Sequence, residues 1–168
     1  SINSGFLAPW EPDVDYSKIH VADSPETLVA NADMVFVCVN TPSNEDGTMD
    51  LFPVWGAAER LARANESIGG SKLSVVMSST VMPGTCRDLN AAHPELLVIS
   101  NPVWIALGSV VRDLQNPPNL VIGCDCGIAG GACPHNRLLG VWAKVLGGKG
   151  LWHTTFTDTK TAEFIKLA

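Results

Sequence analysis

The stretch Ala32-Asp33-Met34-Val35-Phe36-Val37-Cys38-Val39-Asn40-Thr41-Pro42 decides the fold. Its centre, Met34 to Val39, is apolar throughout and rich in β-branched side chains. A run of that length reads as a strand buried on both faces, as strands in parallel sheets are. The strand ends in Asn-Thr-Pro and opens into a loop over 41–50 that carries Pro, Asn, Asp and Gly.

Upstream, Ile19 to Asp23 reads as a short strand. Pro25 to Ala32 reads as a short helix with Ser24 as its N-cap and Pro25 at its first position. Downstream, Val54, Ala57, Ala58, Leu61, Ala62 and Ile68 recur at helical spacing over 51–68, and Gly69-Gly70 ends the run. Leu73 to Met77 is a second buried strand, followed by a turn at Pro83-Gly84 and a short helix toward His93. Leu96 to Ser100 and Leu120 to Gly123 are further strands. Pro102, Gly108, Pro117 and Pro118 interrupt the segment between them too often for a full crossover helix, which predicts an antiparallel connection. A helix over Arg137–Leu146, a strand over Leu151–Phe156 and a helix over Asp158–Ala168 complete the alternation. The expected class is α/β: a Rossmann-like, mostly parallel sheet forming an incomplete doubly wound domain. Strands 34–39, 73–77 and 96–100 are expected side by side in that order.

The whole chain has 168 residues, 46% of them hydrophobic and only 17% charged, which is enough to bury one domain core and excludes intrinsic disorder. With a formal net charge of −6 and its Lys and Arg scattered singly, it carries no basic stripe for nucleic acid. No apolar run approaches the roughly 20 residues that span a bilayer, and the first residues show no secretory pattern. The 5 cysteines, with Cys124, Cys126 and Cys133 crowded together, do not look like a disulfide framework, so a reducing cytoplasm is the expected compartment. Cys38 reads as a small core hydrophobe. Cys86, near a helix N-terminus, is a site where the thiol pKa could fall. The spacing of Cys124, Cys126, Cys133 and His135 matches no common zinc pattern, and no metal site is expected.

In a sheet of this class, ligands bind beyond the carboxyl ends of the strands. There the chain places Asn40-Thr41-Pro42, Ser78-Ser79-Thr80 through Thr85, Asn101-Pro102 and Gly123. In any one loop such residues need only make a turn. On three loops of one edge they point to a site that a flat or phosphorylated ligand approaches closely, with Thr80 able to orient a water or a reacting hydroxyl.

These motifs, in order, resemble the UDP-glucose/GDP-mannose dehydrogenases. The likeness runs through Ile2-Asn-Ser-Gly5 with Glu11-Pro12, Ala32 to Pro42, Asp46-Gly47 with Asp50-Leu51, and Ser79-Thr-Val-Met-Pro-Gly-Thr85. It continues through Asn101-Pro102, Arg112-Asp113 with Asn116-Pro117, Val121-Ile-Gly123, and Ala162-Glu163 with Lys166-Leu-Ala168. The resemblance implies NAD as cofactor and a nucleotide-sugar substrate, UDP-glucose in the first place, oxidised to the uronate in two hydride transfers, the second through a thioester on a cysteine. It implies that Val39, Asn40, Thr41, Pro42, Ser79 and Thr80 face the cofactor, that Val103, Trp104, Ile105 and Lys166 line the substrate, and that Thr80 and Lys166 take part in the chemistry. Lys166 would stabilise developing negative charge on the sugar oxygen. By helix spacing alone, Lys166 is a solvated lysine paired with Glu163 at i,i+3.

Two departures stand out. Where the family continues Asn-Pro with Glu-Phe-Leu-x-Glu-Gly, this chain reads Val103-Trp104-Ile105-Ala106-Leu107-Gly108, so both carboxylates are replaced by aliphatic side chains. The family's Gly-x-Gly-x-x-Gly turn and its nucleophilic cysteine fall outside the residues given. Accordingly, 1–157 is expected to be a partial NAD-binding domain and 158–168 the start of a helix leading to further domains. The chain alone is expected to be inactive, and to self-associate or pair with a complementing segment along the edge of strand 34–39. The competing reading is a non-catalytic binding module derived from the same fold.

Overall fold

The computed structural model describes residues 19–125, 134–148 and 153–168, and within them the expected alternation is present. In chain order the elements are α1 (Pro25–Asn31), β1 (Val35–Val37), α2 (Phe52–Ser67), β2 (Leu73–Met77), α3 (Thr85–Ala92), β3 (Leu96–Ser100), α4 (Val110–Gln115), β4 (Leu120–Gly123), α5 (Pro134–Val145), β5 (Thr154–Thr157) and α6 (Thr159–Leu167). The strands form one sheet in the order β1-β2-β3-β4-β5. The pairings β1–β2, β2–β3 and β4–β5 are parallel, and β3–β4 is antiparallel as the interrupted connection predicts.

Local chemistry sets the boundaries. The Ser24 hydroxyl accepts from the Thr27 N–H to cap α1, and Pro25 sits in its first turn. Leu51 cannot cap α2 with its side chain, so the Asp50 carboxylate accepts the Phe52 N–H instead, at 2.8 Å. Gly69, at φ +64°, turns the chain out of that helix, a conformation that costs a residue with a Cβ about 1 kcal/mol or more.

Two apolar layers hold the sheet. On one face Val54, Ala58 and Leu61 of α2 and Leu89 of α3 pack on Val35, Val37, Val75 and Val98. On the other, Leu138, Trp142 and Leu146 cover Val76, Ile99, Leu120 and Ile122. Each such aliphatic side chain, fully buried, stabilises the fold by about 1.5–3 kcal/mol before conformational entropy is set against it.

Three expectations fail. Residues 19–23 form no strand. They are largely exposed, and the polar His20 and Asp23 leave too short an apolar run to hold a place on the sheet. The run 34–39 is paired only over Val35–Val37 and is buried on one face alone. Phe36 is 42% exposed, and α5 borders it only across an open cleft lined by Gly140, Val141 and Lys144. Cys38 follows on that same open side and is exposed, not a core residue. Of the expected strand at 151–156, residues 151–152 lie outside the described residues, as do Cys126, Cys133, Trp10 and Trp152.

Candidate active site

The sheet register brings the ends of all the strands together. Val37 pairs with Met77, Met77 with Ser100, Ser100 with Gly123, and Gly123 with Thr157. Each of these is the last residue of its strand. Because β4 and β5 run opposite to β1–β3, they reach this row from the other side. At the usual strand spacing the five positions span about 19 Å. Every loop expected to carry function therefore leaves from one line.

The loops after β1 and β2 are tied into one floor. The N–H groups of Ser78 and Ser79 both donate to the Val37 carbonyl, at 3.0 and 3.1 Å. The Ser79 hydroxyl donates to the Val39 carbonyl at 2.7 Å, and the Thr41 hydroxyl to the Thr80 carbonyl at 2.8 Å. Thr41 and Thr80 are thus brought together by a bond that fixes both backbones, while Asn40 and Pro42 are exposed beside them. The half-buried Thr80 hydroxyl has no partner among the described residues, which leaves it available to a ligand.

The loop after β3 meets α6. The Lys166 ammonium donates to the Val103 carbonyl at 2.7 Å and lies 5.1 Å from the centre of the Trp104 ring. A carbonyl oxygen and an indole face both favour a cation, but neither neutralises it. No carboxylate pairs with Lys166 among the described residues. Burial pushes its pKa below the ordinary lysine value. Ile105 and Leu107 continue outward and are exposed, Leu107 at 89%. Of the positions that depart from the family pattern, Val103 thus gives its carbonyl to a partly buried ammonium while its side chain packs on the core, and Leu107 stands exposed further along the loop.

Lys166 does not pair with Glu163, as helix spacing suggests. Glu163 is 2% exposed and points the other way, into the start of α3. Its two carboxylate oxygens accept the N–H groups of Gly84, at 2.5 Å, and Cys86, at 2.7 Å. A helix N-terminus with unpaired N–H groups attracts a carboxylate more strongly than a solvated ammonium attracts it in water. The same contact works against the lowered thiol pKa that a helix N-terminus could give Cys86. Burial and the adjacent Glu163 carboxylate push its thiol pKa well up, which disfavours the thiolate in this buried position.

Glu163, as a cap for α3, and Trp142 are site-supporting residues that sequence reasoning missed, while Asn101 was placed at the strand-end edge without its partners. One signal for Glu163 was present: α3 begins after Gly84, which has no side chain to cap it, so a cap had to come from elsewhere. Among the described residues no cluster of His, Cys, Asp and Glu could hold a metal ion, and no helix is long and apolar enough to cross a membrane.

Residues 12–128 match the UDP-glucose/GDP-mannose dehydrogenase family, NAD binding domain. A UDP-glucose 6-dehydrogenase of Rhizobium meliloti is 32% identical over 141 residues, covering 74% of this chain and 31% of its own length. That of Rickettsia conorii is 33% identical over 142 residues, covering 82% and 30%. The chain therefore spans about a third of these curated relatives. Among solved structures, a UDP-glucose dehydrogenase of Pyrobaculum islandicum superposes with a TM-score of 0.68 at 29% identity, over 86% of this chain and 33% of that one. A GDP-mannose dehydrogenase of Pseudomonas aeruginosa superposes at 0.69 over 87% and 33%; at 21% identity it speaks for the fold alone.

Proposed function

The chain belongs to the UDP-glucose/GDP-mannose dehydrogenase family through that family's NAD-binding domain, and from that membership we propose that it serves the NAD-dependent oxidation of a nucleotide-sugar, UDP-glucose to UDP-glucuronate. The observation that carries the reading is Lys166, a partly buried ammonium held by the Val103 carbonyl near the strand-end row, with no carboxylate partner among the described residues. The small residues and the free Thr80 hydroxyl suit a flat ring approaching the floor of the site. Thr41, Ser79 and Thr80, with the exposed Asn40 and Pro42, would hold the cofactor's reactive end. When bound, NAD would supply the hydride acceptor for oxidation at the carbinol carbon. Thr80 would orient the sugar hydroxyl, and Lys166 would stabilise negative charge as it develops on that oxygen. Trp104 and Ile105 would close the sugar side against water.

The two carboxylate positions hold Val103 and Leu107, which cannot take up the hydroxyl proton. The chain by itself is accordingly expected to form no NADH from UDP-glucose. Backbone NMR titration is the test. NAD is expected to shift resonances at 39–42 and 78–80, and UDP-glucose those at 103–105 and Lys166. Absence of both at low-millimolar ligand would remove the proposal.

The second reading, a binding module without chemistry, is favoured by Val103 and Leu107. It predicts that NAD shifts the floor residues while UDP-glucose shifts nothing. Cys38 and Cys86, both free thiols, suit a reducing cytoplasm. A partner along the edge of β1, which no described strand pairs, either a second copy or a complementing segment, belongs to the same proposal, and a clean monomer in sedimentation velocity would remove the second copy.

A further inference from the structure

Beyond the residues that face the site, one buried side chain joins three elements at its base. Asn101 is 0% exposed and stands one residue past the strand-end row. Its N–H donates to the Met77 carbonyl of β2 at 2.9 Å. Its side-chain amide donates to the Val121 carbonyl of β4 at 2.8 Å. Its side-chain oxygen accepts the indole N–H of Trp142 in α5 at 2.9 Å. With these bonds the amide group's orientation is determined, since swapping its oxygen and nitrogen would set donor against donor and acceptor against acceptor.

The bonds come where the sheet changes direction. Between β3 and β4 the ladder is a single pair, Ser100 with Gly123, too little to fix how the chain leaves β3. Asn101 supplies what that ladder lacks. Two residues on, the Val103 carbonyl receives the Lys166 ammonium, and the next side chain, Trp104, offers its ring to the same cation. The Pro102 between them limits backbone freedom, so the orientation set at Asn101 is passed along a short, stiff path.

We propose that Asn101, held by Trp142, is a positioning residue for Lys166. It fixes the Pro102–Trp104 segment so that a carbonyl and an indole face hold the ammonium at the site. The inference rests on the reading of Lys166 as the site's cation, but its test needs neither NAD nor a sugar. It therefore stands or falls separately from the proposed reaction.

The readout is the proton resonance of the Lys166 ε-methylene, which an indole ring beneath it displaces upfield. Trp104→Ala identifies the signal by collapsing the displacement. Trp142→Phe keeps an aromatic body in α5 and removes the donor to Asn101. Asn101→Asp keeps an acceptor for Trp142 and removes the donor to Val121. Both are expected to lose most of the upfield displacement while the amide resonances of the β1–β2 pair stay in place, a pattern that a general loosening of the fold would not give. If the displacement persists in either folded variant, the proposal is overturned. It is equally overturned if the wild-type chain shows no displacement, or if both variants unfold, which would make Asn101 a residue of the fold rather than of the site.

Discussion

Glu163→Leu is expected to lower the stability of the folded chain by about 4 kcal/mol. Leucine nearly matches the volume but offers no acceptor, so the N–H groups of Gly84 and Cys86, both buried, lose their partner together. A buried donor left unsatisfied costs roughly 1–3 kcal/mol, and bonds to a charged acceptor lie toward the upper end. Glu163→Gln keeps one acceptor and turns a second donor toward an N–H, so about half the loss is expected. Urea unfolding of the three proteins measures this directly. A loss under about 1 kcal/mol for leucine would show that water reaches the start of α3. The effect should extend to the site, because the carboxylate lies one helical turn from Lys166 and its partners lie four to six residues beyond Thr80.

Gly123→Ala is the second large effect, at about 3 kcal/mol, the upper part of the range for overpacking. A Cβ at this position would lie 2.6 Å from the Ala162 Cβ, 2.8 Å from the Asp158 carbonyl oxygen and 2.9 Å from the Thr159 Cα. Two of those atoms are backbone, so no rotamer change relieves the contact, and α6 has to move off β4. Ala162→Gly in the same chain removes only the first contact and should restore a minor part of the loss. Thermal and urea unfolding give the comparison. Full recovery in the double variant would mean that α6 can shift its start without cost.

The order and kind of the elements were legible because their signals are local. The apolar runs at 73–77 and 96–100 admit only buried strands, and Ser24-Pro25 and Gly69-Gly70 mark helix ends by backbone chemistry. The failures share a cause. Cys38 and Phe36 look like core residues because hydrophobicity reports what a residue tolerates, while burial depends on what lies opposite. The pairing of Lys166 with Glu163 looked right because spacing along one helix is visible in sequence, whereas the competing partner, the bare start of α3, is 77 residues away at Cys86. Likewise the candidate loops could be named from Thr41, Thr80 and Val103. That Asn101 orients one of them depends on an indole N–H from α5, a contact that no local pattern encodes.

Because the last residue of every strand lies on one row, the loops at the amino ends of β1–β3 are separated from the candidate site by the length of the sheet. The turn at Gly69–Lys72 is exposed and precedes β2, and Glu95 occupies the equivalent place before β3. A spectroscopic label or a surface tether belongs on that side: attached near Ser71 it can report on the molecule without touching Thr41, Thr80 or Lys166.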